Sequence, residues 1–224
     1  MLELSIAVVG VGLILIVGEL LWRINLIKGE YARKFVHILT ASFASTWVFF
    51  MTNRQVIVLS LLIILIVIIV KQLDLFKSIK AVKRTTYGEL WFPIGIGISA
   101  LIFSNPYIYA IAILHMGVAD GFAAIMGVSL KDRAIKFKIF GFYKSVAGSL
   151  TFFIISLWIY MAYWLGFSAI ANSSFNDFQV VLISLISALS ITIIEMISPK
   201  GSDNIFVPIA SGLVAVIPTI SLII

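Results

Sequence analysis

The chain has 224 residues, of which 62% are hydrophobic and 12% charged, with 16 Lys and Arg against 10 Asp and Glu. That composition leaves too little polar surface to cover a soluble core, and the repeated apolar runs near 20 residues point to a polytopic helical membrane protein. Cysteine is absent, which excludes disulfides, thiolate nucleophiles and Cys-based metal sites; the net charge of +6 fits loop lysines and arginines at a membrane face and needs no nucleic acid.

The periodicity predicts an all-α fold, a transmembrane bundle of about eight spans that forms a single domain over residues 1–224. The spans run approximately Leu2–Leu21, Phe35–Met51, Val56–Val70, Leu90–Phe103, Tyr107–Val128, Val146–Phe167, Phe178–Ile197 and Ile205–Ile224. The first lacks a basic leader and a small-residue cleavage site, so it reads as a retained span. The fourth is short and holds Pro93. A broken or re-entrant segment there reduces the count to seven.

Basic residues alternate by loop. The first loop carries Arg23, Lys28, Arg33 and Lys34; the third Lys71, Lys77, Lys80, Lys83 and Arg84. The fifth carries Lys131, Arg133, Lys136, Lys138 and Lys144, and the seventh Lys200. The even loops hold only Arg54. The odd loops are therefore expected in the cytoplasm, with both termini on the opposite side. Polar residues from five segments then gather towards that cytoplasmic face.

In chain order, the first of these is YARKFVH, residues 31–37, which places Arg33 and His37 on one helical face beside Lys34. These residues suit phosphate or a lipid headgroup, although a basic interfacial anchor explains Arg33 and Lys34 equally. TYGELWFP, residues 86–93, puts Glu89 at the start of the fourth span, where a carboxylate also complements the helix dipole. ADGFAAIMG, residues 119–127, holds Asp120 in an apolar run among small residues. A carboxylate at a span centre costs roughly 2.5–3.5 kcal/mol, and less off-centre as here, so one that is kept points to function; the small residues let a helix or ligand approach closely, and a buried aspartate paired with a neighbouring cation on such a packing face is the structural alternative. His115 precedes it on a different face and reads as a packing residue.

KSVAGS, residues 144–149, opens the sixth span. Lys144, Ser145, Gly148 and Ser149 there form a candidate phosphate cradle at a helix N-terminus. A positive-inside lysine followed by a serine cap is the structural alternative. No Walker A loop occurs in the chain. EMISPKGSDNIFVP, residues 195–208, brings Glu195, Asp203 and Asn204 to the seventh loop. Hard oxygen ligands of this kind suit Mg²⁺, and a turn capped by Asp203 is again the alternative.

RKFVH, GELWFP, ADGFAAIMG, KSVAGS and SDNIFVP occur in this order as they do in the dolichol kinase and phytol kinase family, which includes CTP-dependent diacylglycerol kinases. The chain resembles that family from about Tyr31 to Pro208. The resemblance implies an integral membrane phosphotransferase. It would move the γ-phosphoryl of a nucleoside triphosphate, CTP ahead of ATP, to the hydroxyl of a polyprenol, phytol-like or diacylglycerol lipid. Implied metal ligands for Mg²⁺ are Asp120, Asp203 and Glu195. Arg33, Lys34, Lys144, Ser145, Gly148, Ser149 and Asn204 are the implied cofactor-binding set. Asp120, Lys144, Glu89 and His37 are the implied catalytic set, with Asp120 or Glu89 as the base. The implied partners are a lipid alcohol and membrane lipids. A CTP:phosphatidate cytidylyltransferase is the related alternative. A transporter is the alternative from another class, disfavoured by polar groups at one face and by the lack of a repeat.

Overall fold

A computed structural model of the chain describes residues 2–73, 88–130, 133–171, 175–199 and 201–220. The fold is all-α, apart from one small hairpin. In order come α1 (Leu2–Arg23), α2 (Glu30–Ala44), a 3₁₀ turn (Trp47–Phe49), α3 (Asn53–Leu73) and α4 (Gly88–Ile102). Next are α5 (Pro106–Leu114), a π turn (His115–Ala119) and α6 (Asp120–Ser129). The hairpin strands β1 (Lys136–Ile139) and β2 (Phe142–Ser145) lead into α7 (Val146–Ala171), α8 (Asp177–Ile197) and α9 (Asp203–Ile220). Most of the third-loop lysines, with Tyr87, Lys131 and Lys200, lie outside the described residues.

Among the described residues, four helices are long and apolar enough to cross a membrane: Leu2–Arg23, Pro106–Ser129, Val146–Ala169 and Asp177–Ile197. Asn53–Ile69, Gly88–Ile102 and Asp203–Ile217 are apolar but shorter. The second predicted span differs most. Its helix ends at Ala44 and gives way to the 3₁₀ turn. Fifteen residues at 1.5 Å each reach only about 22 Å, short of a hydrocarbon core of about 30 Å. Pro93 lies inside α4 without ending it. Large apolar side chains such as Leu13, Leu65, Trp158, Phe178 and Ile193 face outwards and exposed, which is an apolar coat rather than a water-facing surface.

Two cores hold the bundle. Trp47, Val56, Ile96, Tyr109 and Met116 join α2 to α5 on one side. Phe152, Tyr160, Trp164, Ile191 and Val207 join α7, α8 and α9 on the other. His115 is fully buried between them, its ring 4.5 Å from that of Tyr160 and its Nδ1 2.7 Å from the Ile111 carbonyl oxygen. It serves packing, as its face implies.

The loop before α7 contains a hairpin that hydrophobic alternation does not announce. Lys136 pairs with Ser145 and Ile139 with Phe142. Phe140 (φ 46°) and Gly141 (φ 87°) form the connection. Two positive φ values make a type I′ turn, which normally takes Asn-Gly or Asp-Gly. Phe140 at the first position conceals that signal. The sixth span keeps its predicted start. Lys144 and Ser145 close β2, and the helix begins at Val146.

Candidate functional site

The face of α2 that meets α6 is set by residue spacing. Lys34, Ile38 and Ala41 share one stripe, as do Gly117, Asp120 and Gly121 on the π turn and α6. A Cβ on Gly117 would sit 1.8 Å from the Ala41 Cβ, and one on Gly121 2.3 Å from the Ile38 Cγ1. Only glycine lets these helices approach so closely. Replacing Gly117 with Ala gains about 1 kcal/mol of helix preference. It forces an overlap with Ala41, whose short side chain cannot rotate away, at a cost of about 1–3 kcal/mol. We expect Gly117→Ala to lower the thermal midpoint in detergent; an unchanged midpoint would refute this packing.

That close approach seats Lys34 against Asp120 as a buried ion pair. Lys34 is 4% exposed and Asp120 7%, so each removes most of the cost of burying the other. His37 joins them. Its Nε2 lies 3.7 Å from the Asp120 Oδ2 and 3.1 Å from the Met116 carbonyl oxygen, and its ring packs 4.5 Å from Phe92. The π turn that frees local backbone geometry lies directly before Asp120, a type of irregularity frequent at functional sites.

A second pair stands beside the first. Lys144, at the end of β2, pairs with the Glu195 carboxylate and donates to the Glu195 carbonyl oxygen at 3.0 Å. It thus also caps the C-terminal end of α8, where a cation is favoured. Burial disfavours the Lys144 ammonium, but the charge and hydrogen bond of Glu195 outweigh it and hold its pKa above that of an ordinary lysine. Asp203 opens α9 within electrostatic reach of Asp120, Lys34, Lys144 and Glu195. Arg33 reaches Asp120 and Asp203 as well. Segments far apart in sequence therefore converge on one charge cluster.

The other predicted residues divide. Ser145 caps α7, its Oγ accepting from the Gly148 N–H at 3.0 Å. A Cβ on Gly148 would lie 2.8 Å from that Oγ and 3.0 Å from the Ala123 carbonyl oxygen, so the glycine serves the α6–α7 approach. The Ser149 Oγ is buried without a hydrogen-bond partner among the described residues. Asn204 donates to the Gly88 carbonyl oxygen at 3.1 Å, tying the turn before α9 to the start of α4. Gly201 (φ 85°) makes that turn, with the Gly88 backbone nitrogen 3.2 Å from where its Cβ would stand. Glu89 lines an apolar cavity with Arg33 and His37.

Glu30 is a functional neighbour that the motifs did not single out. It forms an ion pair with Arg33, with the Arg33 Nε 3.1 Å from a Glu30 carboxylate oxygen. Its i,i+3 spacing was the available signal.

The donor set also bears on Mg²⁺. Among the described residues, no three His, Asp or Glu side chains form a ready-made metal cluster. Asp120, Glu195 and Asp203 nonetheless interact electrostatically, and among the described residues the Glu195 Oε2 is buried without a hydrogen-bond partner. These residues fit Mg²⁺, which takes one or two carboxylates and leaves its other positions to phosphate and water.

The chain is 28% identical over 221 residues to a protein named phytol kinase from Synechocystis sp., a match covering 96% of this chain and 90% of that relative. No protein-family model matches the chain, and no solved structure gives a significant match.

Proposed function

We propose that this protein is a membrane-embedded kinase that phosphorylates a long-chain isoprenoid or related lipid alcohol with a nucleoside triphosphate, CTP being the favoured donor. The observation that carries the reading is the convergence of Lys34, Asp120, Lys144, Glu195 and Asp203 directly beside an apolar cavity lined by His37, Arg33 and Glu89. Cations for a triphosphate, carboxylates for a metal and an apolar compartment for a lipid are the parts such a reaction needs. Similarity to a phytol kinase along almost the whole chain supports the same class. The alternation of basic loops supports a site on the cytoplasmic side.

Phosphoryl transfer asks a protein mainly for alignment and charge neutralisation. The alcohol oxygen attacks the γ-phosphorus while the bond to the β,γ-bridging oxygen breaks and the nucleoside diphosphate leaves. The alcohol's proton passes to a carboxylate. Glu89, which lines the cavity, and Asp120, which adjoins it through His37, are the two candidates for that base. Lys34, Lys144 and Arg33 bind and orient the phosphates. Asp120, Asp203 and Glu195 would hold Mg²⁺, which when bound offsets the charge of the triphosphate. Lys34 and Lys144 are paired with Asp120 and Glu195. Nucleotide binding is thus an exchange of ionic partners rather than the filling of a bare cationic pocket.

Purified protein in detergent, given CTP, ATP, UTP or GTP with phytol, dolichol, undecaprenol or diacylglycerol, is expected to yield a lipid phosphate and a nucleoside diphosphate. Chromatography of the lipid and phosphorus NMR of the nucleotide read the two products. Release of pyrophosphate instead would assign the protein to cytidylyl transfer, and absence of any lipid product would overturn the proposal.

A further inference from the structure

A cavity of about 470 Å³ lies between α1, α2, α3 and α4, within the roughly 300–1,000 Å³ usual for small-molecule sites. Its polar groups form a stripe along α2, joined by Glu89 at the start of α4. Arg33 and Glu89 stand at one end, and His37 and Thr40 lie one and two helical turns further in. The rest is apolar, aliphatic from Leu15 to Val8 along α1 and from Val67 to Leu59 along α3, with Phe92 and Pro93 on α4. The eight-residue step along α3 corresponds to about 12 Å of apolar wall.

Thr40 adds an independent observation. Threonine and serine hydroxyls inside helices normally donate to the carbonyl four residues back. Ser42, Ser184 and Thr192 do so here, at 2.7–2.8 Å. The Thr40 Oγ1 does not; among the described residues it is buried without a hydrogen-bond partner, in a residue 7% exposed that lines the cavity. A buried hydroxyl left unpaired in an apolar wall is costly, and an incoming oxygen would satisfy it.

We infer that this cavity is the acceptor subsite. It takes a long-chain primary alcohol, with the hydroxyl beside His37 and Thr40 and the hydrocarbon along α1 and α3. The inference rests on the kinase reading for the reaction but not for the binding. An amphiphile with one polar terminus matches an apolar cavity with one polar stripe. The stripe adjoins the charge cluster through His37, which lies 3.7 Å from Asp120. Gly12, which also lines the cavity, has nothing within 4 Å of where a Cβ would stand. It is the position at which added bulk enters the hydrocarbon path without disturbing the fold.

The test uses the full-length protein in detergent and a long-chain primary alcohol bearing a terminal diazirine. Photolabelling of the wild type is expected to map to α1 and α3 by mass spectrometry of peptides. Gly12→Leu is expected to lose most of that labelling and to raise the KM for the long-chain alcohol at least about tenfold, with the KM for nucleotide unchanged. Thr40→Val is expected to lower kcat/KM for the alcohol about tenfold. If wild-type protein turns over but the label maps outside α1–α4 and Gly12→Leu keeps its alcohol KM, this inference is overturned and the kinase reading stands. If the label maps to the cavity but no donor gives a lipid phosphate, the subsite stands and the kinase reading falls.

Discussion

Asp120→Asn is expected to reduce lipid phosphorylation by at least about 10³-fold, the scale on which removing one charge-stabilising group from a reacting centre acts. Asp120 is a buried carboxylate of the cluster, faced by Lys34, His37 and Lys144. On the kinase reading its negative charge is the part that both metal binding and phosphate positioning require; asparagine keeps the shape and loses the charge. The substitution also strands Lys34, which is 4% exposed. Breaking one side of a buried pair costs about 3–5 kcal/mol, so lost activity could come from lost folding. The double variant Lys34→Met/Asp120→Asn separates the two. With both charges gone, the packing of α2 on α6 at Gly117 and Gly121 remains, and the thermal midpoint should recover towards wild type. Activity should not recover with it. A single variant that phosphorylates lipid at the wild-type rate, or a double variant that regains turnover along with stability, would remove Asp120 from the chemistry.

The parts of this architecture that follow from local pattern were legible. Apolar runs located the helices, and an isolated carboxylate in one of them marked Asp120. Pairings were not legible, because the partners are distant: Lys34 and Asp120 are 86 residues apart and Lys144 and Glu195 are 51. Charge type alone leaves open whether Asp120 awaits a metal or pairs with a neighbouring cation, and it does not name the cation; in the structure Lys34 pairs with Asp120 and Lys144 with Glu195. The length of α2 was also hidden. The apolar run continues past Ala44 through Trp47 and Phe49, but as a 3₁₀ turn, and hydropathy does not distinguish a turn from a helix. The hairpin was obscured by Phe140 in a left-handed conformation. Small residues were read as sites of close approach, and the structure supplies the approaching groups. At Gly148 that group is the Ala123 carbonyl oxygen, with Ser145 as cap.

Lys144 yields the second large effect. Its ammonium spans Glu195 at the end of α8 and the charge cluster containing Asp120 and Asp203. It sits on a hairpin strand rather than on a rigid span, so it can change partner at small structural cost. Its side chain is 20% exposed, more open than that of Lys34. On the kinase reading, Lys144 turns from Glu195 to the triphosphate when nucleotide arrives and leaves the Glu195 carboxylate to the metal. Lys144→Met removes a charge-assisted contact of about 1.5–3 kcal/mol, which predicts a rise of about 10–100-fold in the KM for nucleotide with the KM for alcohol unchanged. Glu195→Gln acts on the other half of the exchange. It releases Lys144, so nucleotide affinity should hold or improve, but the Mg²⁺ concentration for half-maximal rate should rise about tenfold or more, on the scale of losing one supporting group at a metal site. Steady-state rates over a grid of nucleotide and Mg²⁺ concentrations measure both. If Glu195→Gln and Lys144→Met instead raise the nucleotide KM equally and leave the Mg²⁺ dependence alone, the pair is a fixed strut between the hairpin and α8, and the exchange of partners does not occur.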